Sequence, residues 1–314
     1  MSSRFIIALA SLLSVATVSA AQEGQDKIDT LAAATVTSAI DRNINFTQTG
    51  LTKIDGSAFR RGFAVFSSPD VLKTLQTLTG VASGTEMLSN LYVHGGDGSD
   101  NLFLLDGVPL YQICHLGGIF SSFNTDVVKG IDFYKSGFPA RFGGKMSSVV
   151  DITTRDGNFY DYHGTFAIGL IDGHLQFEGP IVKGKTSFNV GLRRTWIETI
   201  SEPILYFFNK ENQPDKLTLG YSFSDLNAKV THKFSPKNVL RGSFYMGRDV
   251  FRYKQYNFSE YYQVGEDGVA EIHRQQENDV GIPMNWGNTL GSLDWKWDIS
   301  DQLSMNVAAY YTRS

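Results

Sequence analysis

The sequence predicts an α+β domain followed by antiparallel transmembrane β-strands, which together amount to an incomplete outer-membrane β-barrel. Two observations predict the transmembrane strands of this fold. The second half alternates apolar and polar residues over long runs, and short turns alternate with long connections between those runs. Aromatic residues make up 13% of the chain, and 31 Gly stand against only 8 Pro. That composition suits many strands joined by tight turns.

The N-terminus has the features of an export signal. Arg4 precedes an apolar run over residues 5–18, and Val18-Ser19-Ala20 is a small-residue cleavage site, so residues 1–20 are predicted to be a signal peptide. An uncleaved anchor helix is the alternative, but the run is shorter than the roughly 20 residues a span needs. Residues 21–44 are polar and rich in Ala and Thr, which predicts a flexible segment.

Alternation in the C-terminal half sorts residues onto two faces, because successive strand residues point to opposite sides. One face collects the apolar residues Leu226, Ala228, Val230, Phe244, Met246, Leu293, Trp295, Trp297, Met305, Val307 and Ala309. The other collects the polar residues Asp225, Asn227, Lys229, Arg241, Ser243, Asp294, Lys296 and Asn306. A soluble sandwich would turn the apolar face inward and a membrane barrel would turn it toward lipid. Alternation alone leaves both open.

Connection and strand lengths favour the membrane barrel. The predicted short turns are Pro180–Lys185, Ser235–Asn238 and Ser300–Gln302. Long loops are predicted at about 198–220 and 254–285, whereas Asp172-Gly173 predicts a tight hairpin on the long-loop side. Outer-membrane barrels have short turns at one end and long loops at the other. The predicted strands Val239–Tyr253 and Trp286–Ile299 also exceed the about 9–11 residues that a tilted spanning strand needs.

The most specific sequence motifs of the chain lie between residues 68 and 157. Its blocks are Asp70–Gln76, Leu78–Val81, Leu91–Gly96, Asn101–Tyr111, Val127–Lys135, Gly137–Gly144 and Ser147–Thr154. In order and spacing this series resembles the plug domain of TonB-dependent receptors, and Leu175–Trp196 resembles the first barrel hairpin of that family. The resemblance implies a plug domain over residues 45–157 and the first strands of a β-barrel over residues 160–314.

The resemblance implies a function and partners. A TonB-dependent receptor takes up a scarce nutrient across the cell outer membrane and is not an enzyme, and no cofactor is predicted. Its partners would be a TonB-type periplasmic coupling protein, outer-membrane lipid, a small nutrient ligand and, as a further candidate, a surface lipoprotein. The net charge of -4 does not indicate a nucleic-acid-binding protein, because such proteins carry an excess of basic residues. About seven strands are predicted, against the roughly 22 of plugged transporters, so the chain is expected to be incomplete.

The same resemblance supplies candidate site residues. The TonB box, which needs an accessible segment able to add as a strand to a partner's sheet, is assigned to Asp29, Thr30, Leu31, Ala32, Thr35, Val36 and Thr37. His94 stands where the family usually has Arg, and it is the predicted anchor of the plug against barrel carboxylates. The candidate ligand-facing residues, on two predicted external tips of the plug, are Asp97, Ser99, Asp100, Gln112 and His115.

Three other interpretations remain open at this stage. A non-transporting fragment would use its plug only to bind the coupling protein. A secreted calcium-binding β protein is suggested by Gly95–Phe103, which fits one calcium nonapeptide, although such sites are built from several stacked repeats. A soluble enzyme is disfavoured because no catalytic motif is found. Cys114-His115 is a poor metal site, so no metal ligands are predicted, and a single Cys excludes an intrachain disulfide.

Overall fold

The structure, a computed structural model, describes residues 50–60, 64–65, 68–84, 89–211, 216–264 and 270–314. All of these lie in one compact unit, Asn45–Ser314. The predicted signal peptide and the segment 21–44 with its candidate TonB box lie outside the described residues.

The described elements alternate short strands in the first half with long strands in the second. In chain order they are β1 (Leu51–Asp55), α1 (Gly56–Arg60), β2 (Ala64–Val65), β3 (Ser68–Pro69), α2 (Val71–Gln76), β4 (Val81–Ala82), β5 (Tyr92–Val93), β6 (Asn101–Leu105), β7 (Val108–Pro109), β8 (Cys114–His115), β9 (Phe120–Ser121), β10 (Val128–Tyr134), β11 (Ser148–Thr154), β12 (His163–Ile168), β13 (Asp172–Val182), β14 (Thr186–Thr195), α3 (Ile197–Glu211), β15 (Lys216–Ser235), β16 (Asn238–Val264), β17 (Ala270–Asp298) and β18 (Ser304–Arg313). Two short 3-10 turns occupy Gly98–Asp100 and Leu116–Gly118.

The plug is an α+β unit built on a five-stranded sheet of order β1-β10-β11-β6-β7. The pair β11–β6 is parallel and the other pairs are antiparallel. Its core is apolar and nearly inaccessible, with exposure of 2% or less at Phe59, Leu72, Leu75, Ile131, Phe133 and Ile152. Asp70 caps α2 by accepting the Lys73 amide at 3.0 Å, and its other oxygen accepts the Ser121 amide at 2.7 Å. One carboxylate thus fixes the helix against the segment that carries β9.

The second half is one antiparallel sheet in sequence order from β12 to β18, which confirms the predicted seven strands. Its short turns fall where the sequence predicts them, between β13 and β14, β15 and β16, and β17 and β18. In the described part of the chain β12 and β18 each pair on one side only, so the sheet is not closed. The combination of a plug domain with antiparallel strands confirms the predicted fold class.

Both predicted long loops were wrong. Residues 198–211 lie in α3, residues 216–220 begin β15, and residues 254–264 and 270–285 continue β16 and β17 as a paired ribbon. Pairing extends as far as Val264 and Ala270. A strand that projects beyond a bilayer has water on both sides and needs no apolar face, so its sequence loses the alternation that identified it elsewhere.

Polarity is inverted relative to a soluble protein. We call the side of the seven-stranded sheet that contacts the plug inward, and the opposite side outward. On β15 the inward Asp225, Asn227 and Lys229 are 2%, 6% and 5% exposed, whereas the outward Val230 is 44% exposed. The outward Leu293 is likewise 57% exposed. The structure therefore decides between the two interpretations of the alternation, in favour of an apolar outer surface. Among the described residues, no helix is both long and apolar enough to cross a membrane.

Candidate functional site at the interface of the plug and the strands

The plug meets the inward face of the sheet through a tight hairpin. β8 and β9 pair antiparallel across the 3-10 turn Leu116–Gly118, in which Gly117 has φ of 63°, a conformation that glycine adopts at low cost. This geometry projects the side chain of His115 into the interface, where it is 1% exposed. The hairpin thus places the imidazole of His115 in the interface between plug and strands, where water is excluded.

His115 is held between two carboxylates of the strands. Its Nδ1 lies 2.8 Å from Asp249 Oδ2, and its Nε2 lies 3.0 Å from Asp225 Oδ1. We call these three residues the histidine clamp. Only a protonated imidazole donates from both nitrogens. Burial alone would lower the pKa of His115, but Asp225 and Asp249 outweigh burial and raise it. The ring also stacks on Phe223, with centroids 4.1 Å apart and planes 4° apart.

The histidine clamp contains two carboxylates and one imidazolium, and an arginine supplies the second positive charge. Arg193 donates from Nε and Nη2 to Asp225 Oδ2 at 2.9 and 2.7 Å. The same Nη2 reaches the carbonyl oxygen of Ser121 in the plug at 2.5 Å. With His115 protonated, two cations face two carboxylates, which is the condition under which buried charges are tolerated.

Two tyrosines complete the polar contacts around the clamp. The Tyr245 hydroxyl lies 2.9 Å from Asp225 Oδ1 and 3.2 Å from the carbonyl oxygen of Ser122. The Tyr221 hydroxyl donates to Asp249 and accepts the amide of Leu116 at 2.7 Å. Each tyrosine therefore joins a strand carboxylate to the plug backbone.

A second charged cluster joins the plug to the strands near the short turns. The turn residue Asp106, with φ of 51°, accepts the amide of Thr154 at 3.0 Å and the Nζ of Lys229 at 2.9 Å. Asp156, in the link between plug and strands, accepts Arg241 Nε at 3.0 Å and lies 3.6 Å from Lys229 Nζ. The carboxylates of Asp106 and Asp156 thus tie the plug and the link that follows it to β15 and β16.

The structure brings two of the predicted plug residues into the interface. Gln112 exchanges two hydrogen bonds with Asn288: its amide N–H donates at 3.1 Å, and its carbonyl accepts at 2.6 Å. His115 was predicted to face a ligand, but it is buried between carboxylates, and this corrects its expected position. Because β8 is only two residues long, its sequence offers no periodicity from which burial could be inferred.

His94 lies elsewhere than predicted. It is exposed with φ of 50°, and its ring covers Gly80 within the plug. Among the described residues, no strand carboxylate lies within ion-pair distance of His94, whereas His115 contacts two of them. The assignment of the plug anchor to His94 is therefore corrected to His115.

The remaining predicted residues form a local turn within the plug. Asp97 and Ser99 are exposed, and the Asp100 carboxylate accepts the Asp97 amide at 3.2 Å. Lys145 Nζ donates to the carbonyl oxygen of Ser99 at 2.5 Å. Among the described residues, these hydrogen bonds join the turn to other parts of the plug. Gln112 and His115, in contrast, contact the strands.

Sequence reasoning missed the partners of His115. Alternation places Asp225 on the polar face, but it does not identify Arg193, Asp249 or the two tyrosines as its neighbours. Alternation could have found Asp249, because it has the same parity along β16 as Arg241 and Ser243. The contacts of these strand residues with the plug join positions more than 100 residues apart in sequence, and no local pattern encodes them.

Cys114 is a buried thiol in a strand. It is 8% exposed in β8, and burial followed by the negative charge of Asp70 raises the pKa of its thiol to about 12. A neutral thiol is a poor nucleophile and metal ligand. Within the described ranges, no group of three or more His, Cys, Asp or Glu residues could hold a metal ion.

The raised pKa of His115 predicts a pH-dependent plug interface. A folded-state pKa above the unfolded value of 6.5 means that His115 contributes its full stability below about 6.5 and loses it as pH rises through the raised pKa. Protease cleavage of the plug should therefore increase from neutral toward alkaline pH. Limited proteolysis across that range checks this, with His115→Gln expected to flatten the dependence. An unchanged slope in His115→Gln would contradict it.

A family comparison agrees with this architecture. Residues 51–150 match the family model described as the TonB-dependent Receptor Plug Domain. Residues 51–150 thus match the plug domain of the TonB-dependent receptors. No curated protein sequence matches the chain.

Three solved structures of bacterial receptors or transporters are among those to which the chain is similar. A mutant ferric enterobactin receptor PfeA of Pseudomonas aeruginosa is 12% identical, with 86% of this chain and 50% of that chain covered and a TM-score of 0.46. The siderophore receptor PirA of the same organism is 16% identical, with 84% and 48% covered and a TM-score of 0.46. The outer-membrane transporter YddB of Escherichia coli is 10% identical, with 84% and 48% covered and a TM-score of 0.45. The chain spans about half the length of these structures.

Proposed function

We propose that the chain serves in energy-coupled uptake of a small, scarce nutrient, such as an iron chelate, a vitamin or a glycan, across the outer membrane. The observation that carries this proposal is the histidine clamp, through which the strands hold the plug. A plug that must move and return requires contacts that re-form in one register. Buried charged groups provide such contacts, because removing either partner is costly while the complete set is tolerated.

The position of β1 supports coupling from the N-terminal side. β1 lies at the edge of the plug sheet and pairs antiparallel with β10, from Leu51 opposite Tyr134 to Asp55 opposite Gly130. Tension applied to the chain before Leu51 would act first on this edge strand. An edge strand has neighbours on one side only, so it can detach without breaking the centre of the sheet.

The candidate TonB box gives a direct prediction. If residues 29–37 bind by adding a strand to the coupling protein, Leu31→Pro removes a backbone donor and should weaken that binding at least tenfold. Binding of the full chain to the periplasmic domain of the coupling protein measures this. Gln25→Pro, which lies before the box, is the matched control and should bind like the wild type. Equal affinity for Leu31→Pro and the wild type would remove the box assignment.

Uptake itself is tested in cells that lack the chromosomal gene and are supplied with it again. Growth on a panel of iron chelates, vitamins and glycans should be restored for one class, and a proton uncoupler should abolish that accumulation. Binding to the coupling protein without any restored growth would favour the non-transporting alternative. Uptake that persists with the uncoupler would contradict energy coupling.

A further inference from the structure

The strands reverse their polarity beyond the histidine clamp, at the end of the sheet away from the short turns. On β15 the outward residues are apolar from Val230 to Leu226, and the outward residues that follow are Ser224, Ser222 and Gly220. The inward side changes in the opposite sense, from the polar Asp225 at the clamp to the apolar Leu219 beyond it. Contact with lipid therefore does not explain the apolar side of this part of the sheet.

The inward positions of three strands form one surface here, which we call the apolar wall. Cross-strand pairing aligns them in three rungs: Leu217, Gln255 and Val280; Leu219, Tyr253 and Ile282; and Tyr221, Phe251 and Met284. Gln255 alone among them is neither apolar nor aromatic, and none of them is charged. At the same level the outward positions include Thr218, Arg252 and Lys254.

The aliphatic side chains of the apolar wall are accessible in the described part of the chain. Leu219 is 38% exposed, and Ile282 and Met284 are 46% and 45% exposed. A strand that projects beyond a bilayer has water on both sides and needs no apolar side, so a contiguous apolar surface at this level indicates a binding site. The wall lies on the side of the sheet that contacts the plug, and the bilayer therefore does not reach it.

The plug hairpin lies at the base of the apolar wall. Phe120 of β9 forms an apolar cluster with Tyr221 of the lowest rung, and Leu116 packs against this cluster. The Tyr221 hydroxyl accepts the amide of Leu116 at 2.7 Å and donates to Asp249 of the histidine clamp. The wall is thus continuous with the interface between plug and strands. A molecule bound on it would lie directly against the hairpin that carries His115.

The polar groups of the apolar wall are neutral. The Tyr253 hydroxyl donates to Gln255 Oε1 at 2.6 Å, and Gln255 Nε2 donates to Asn257 Oδ1 at 3.0 Å. An anion placed on this surface would lose water without gaining a cation, which is unfavourable. An oligosaccharide would lose hydrogen bonds to water wherever its hydroxyl groups met the aliphatic side chains. The wall therefore selects for an uncharged molecule with few polar groups.

We propose that the apolar wall binds an uncharged ligand that has a broad aromatic or aliphatic face and a few neutral polar groups at one end. Two strand spacings make the wall about 10 Å wide, and the four residue steps from Leu217 to Tyr221 make it about 13 Å high. These dimensions suit a compact chelate or macrocycle. This inference rests on the proposed uptake function, for which it names the class of ligand.

Equilibrium dialysis of three ferric chelates against the purified full chain tests the proposal, with a detergent blank. Ferric tris(benzohydroxamate) is uncharged and aromatic. Ferric tris(acetohydroxamate) is uncharged but has little apolar surface, and ferric tris(catecholate) is aromatic but trianionic. Wild-type protein should bind the benzohydroxamate chelate at least about tenfold more tightly than either of the other two, because only this chelate combines apolar area with zero charge.

Variants of the apolar wall locate the binding. Leu219→Gln/Ile282→Gln should weaken binding of the benzohydroxamate chelate at least about tenfold. The matched control, Thr218→Gln/Asn285→Gln, places the same side chain on the outward side of the same two strands and should bind like the wild type. Ile282→Lys should gain affinity for the catecholate chelate, and a misfolded variant would not show such a gain.

Three results would overturn the proposal: no binding of the benzohydroxamate chelate, equal affinity of the wild type for the neutral and the anionic aromatic chelates, or wild-type affinity in Leu219→Gln/Ile282→Gln. Growth tests distinguish this failure from a failure of the uptake function. Selective chelate binding without restored growth would leave the ligand class standing and contradict uptake. Energy-coupled uptake of an anionic chelate by the wild type would contradict the ligand class alone.

Discussion

Replacing His115 by Ala is expected to release the plug from the strands and to cost about 3–5 kcal/mol, the usual cost of removing one partner from a buried charged cluster. The imidazole is 1% exposed, with carboxylate oxygens at 2.8 and 3.0 Å. Without the imidazolium, the two carboxylates of Asp225 and Asp249 face one guanidinium, that of Arg193. Thermal unfolding in detergent and the rate of protease cleavage within the plug measure this loss.

The matched control for this variant is His94→Ala. His94 is exposed and lies over Gly80, so its removal should change stability by less than about 0.5 kcal/mol, as for ordinary surface substitutions. The comparison also decides which histidine anchors the plug. If His94→Ala released the plug and His115→Ala did not, the clamp described above would be wrong.

Introducing a charge on the outward face is expected to have the second large effect. Val230 lies midway along the apolar side of β15, between Phe234 and Leu226, and is 44% exposed. Val230→Arg should cost about 2–4 kcal/mol in a bilayer, the depth-dependent cost of a cation at the midplane of a barrel. Reversible unfolding from lipid vesicles measures it.

The control keeps the strand and the face but changes the depth. Phe234→Arg places the same charge beside the short turn, where the cost of a cation falls to about 0–1 kcal/mol. A soluble fold with no bilayer around this face would give no such difference. Equal costs at Val230 and Phe234 would therefore contradict the membrane position of the sheet.

The parts of the fold that follow a simple period were predictable from sequence. Alternation placed Asp225, Asn227 and Lys229 on one face and Val230 on the other, and the structure confirms this division. The direction of that division was not predictable, because a soluble sandwich has the same period with the opposite polarity. It required the observation that the polar face contacts the plug.

Helix α3 was missed for a different reason. Its apolar residues recur every three or four positions, but Pro203 and the intervening polar residues made the segment read as a loop. The clamp was also beyond local reasoning. His115 gained its role from Asp225 and Asp249, which are 110 and 134 residues distant in sequence. Only the register of the strands against the plug brings these side chains together.

Spin-label accessibility along β15 tests the central claim most directly. In a Cys114→Ala background, labels are placed one at a time at residues 226 to 231 of the protein reconstituted in lipid. Positions 226, 228 and 230 should be accessible to oxygen dissolved in the bilayer, whereas 227, 229 and 231 should be shielded by the plug. Loss of that alternation, or oxygen accessibility at the odd positions instead, would contradict an apolar surface that faces lipid.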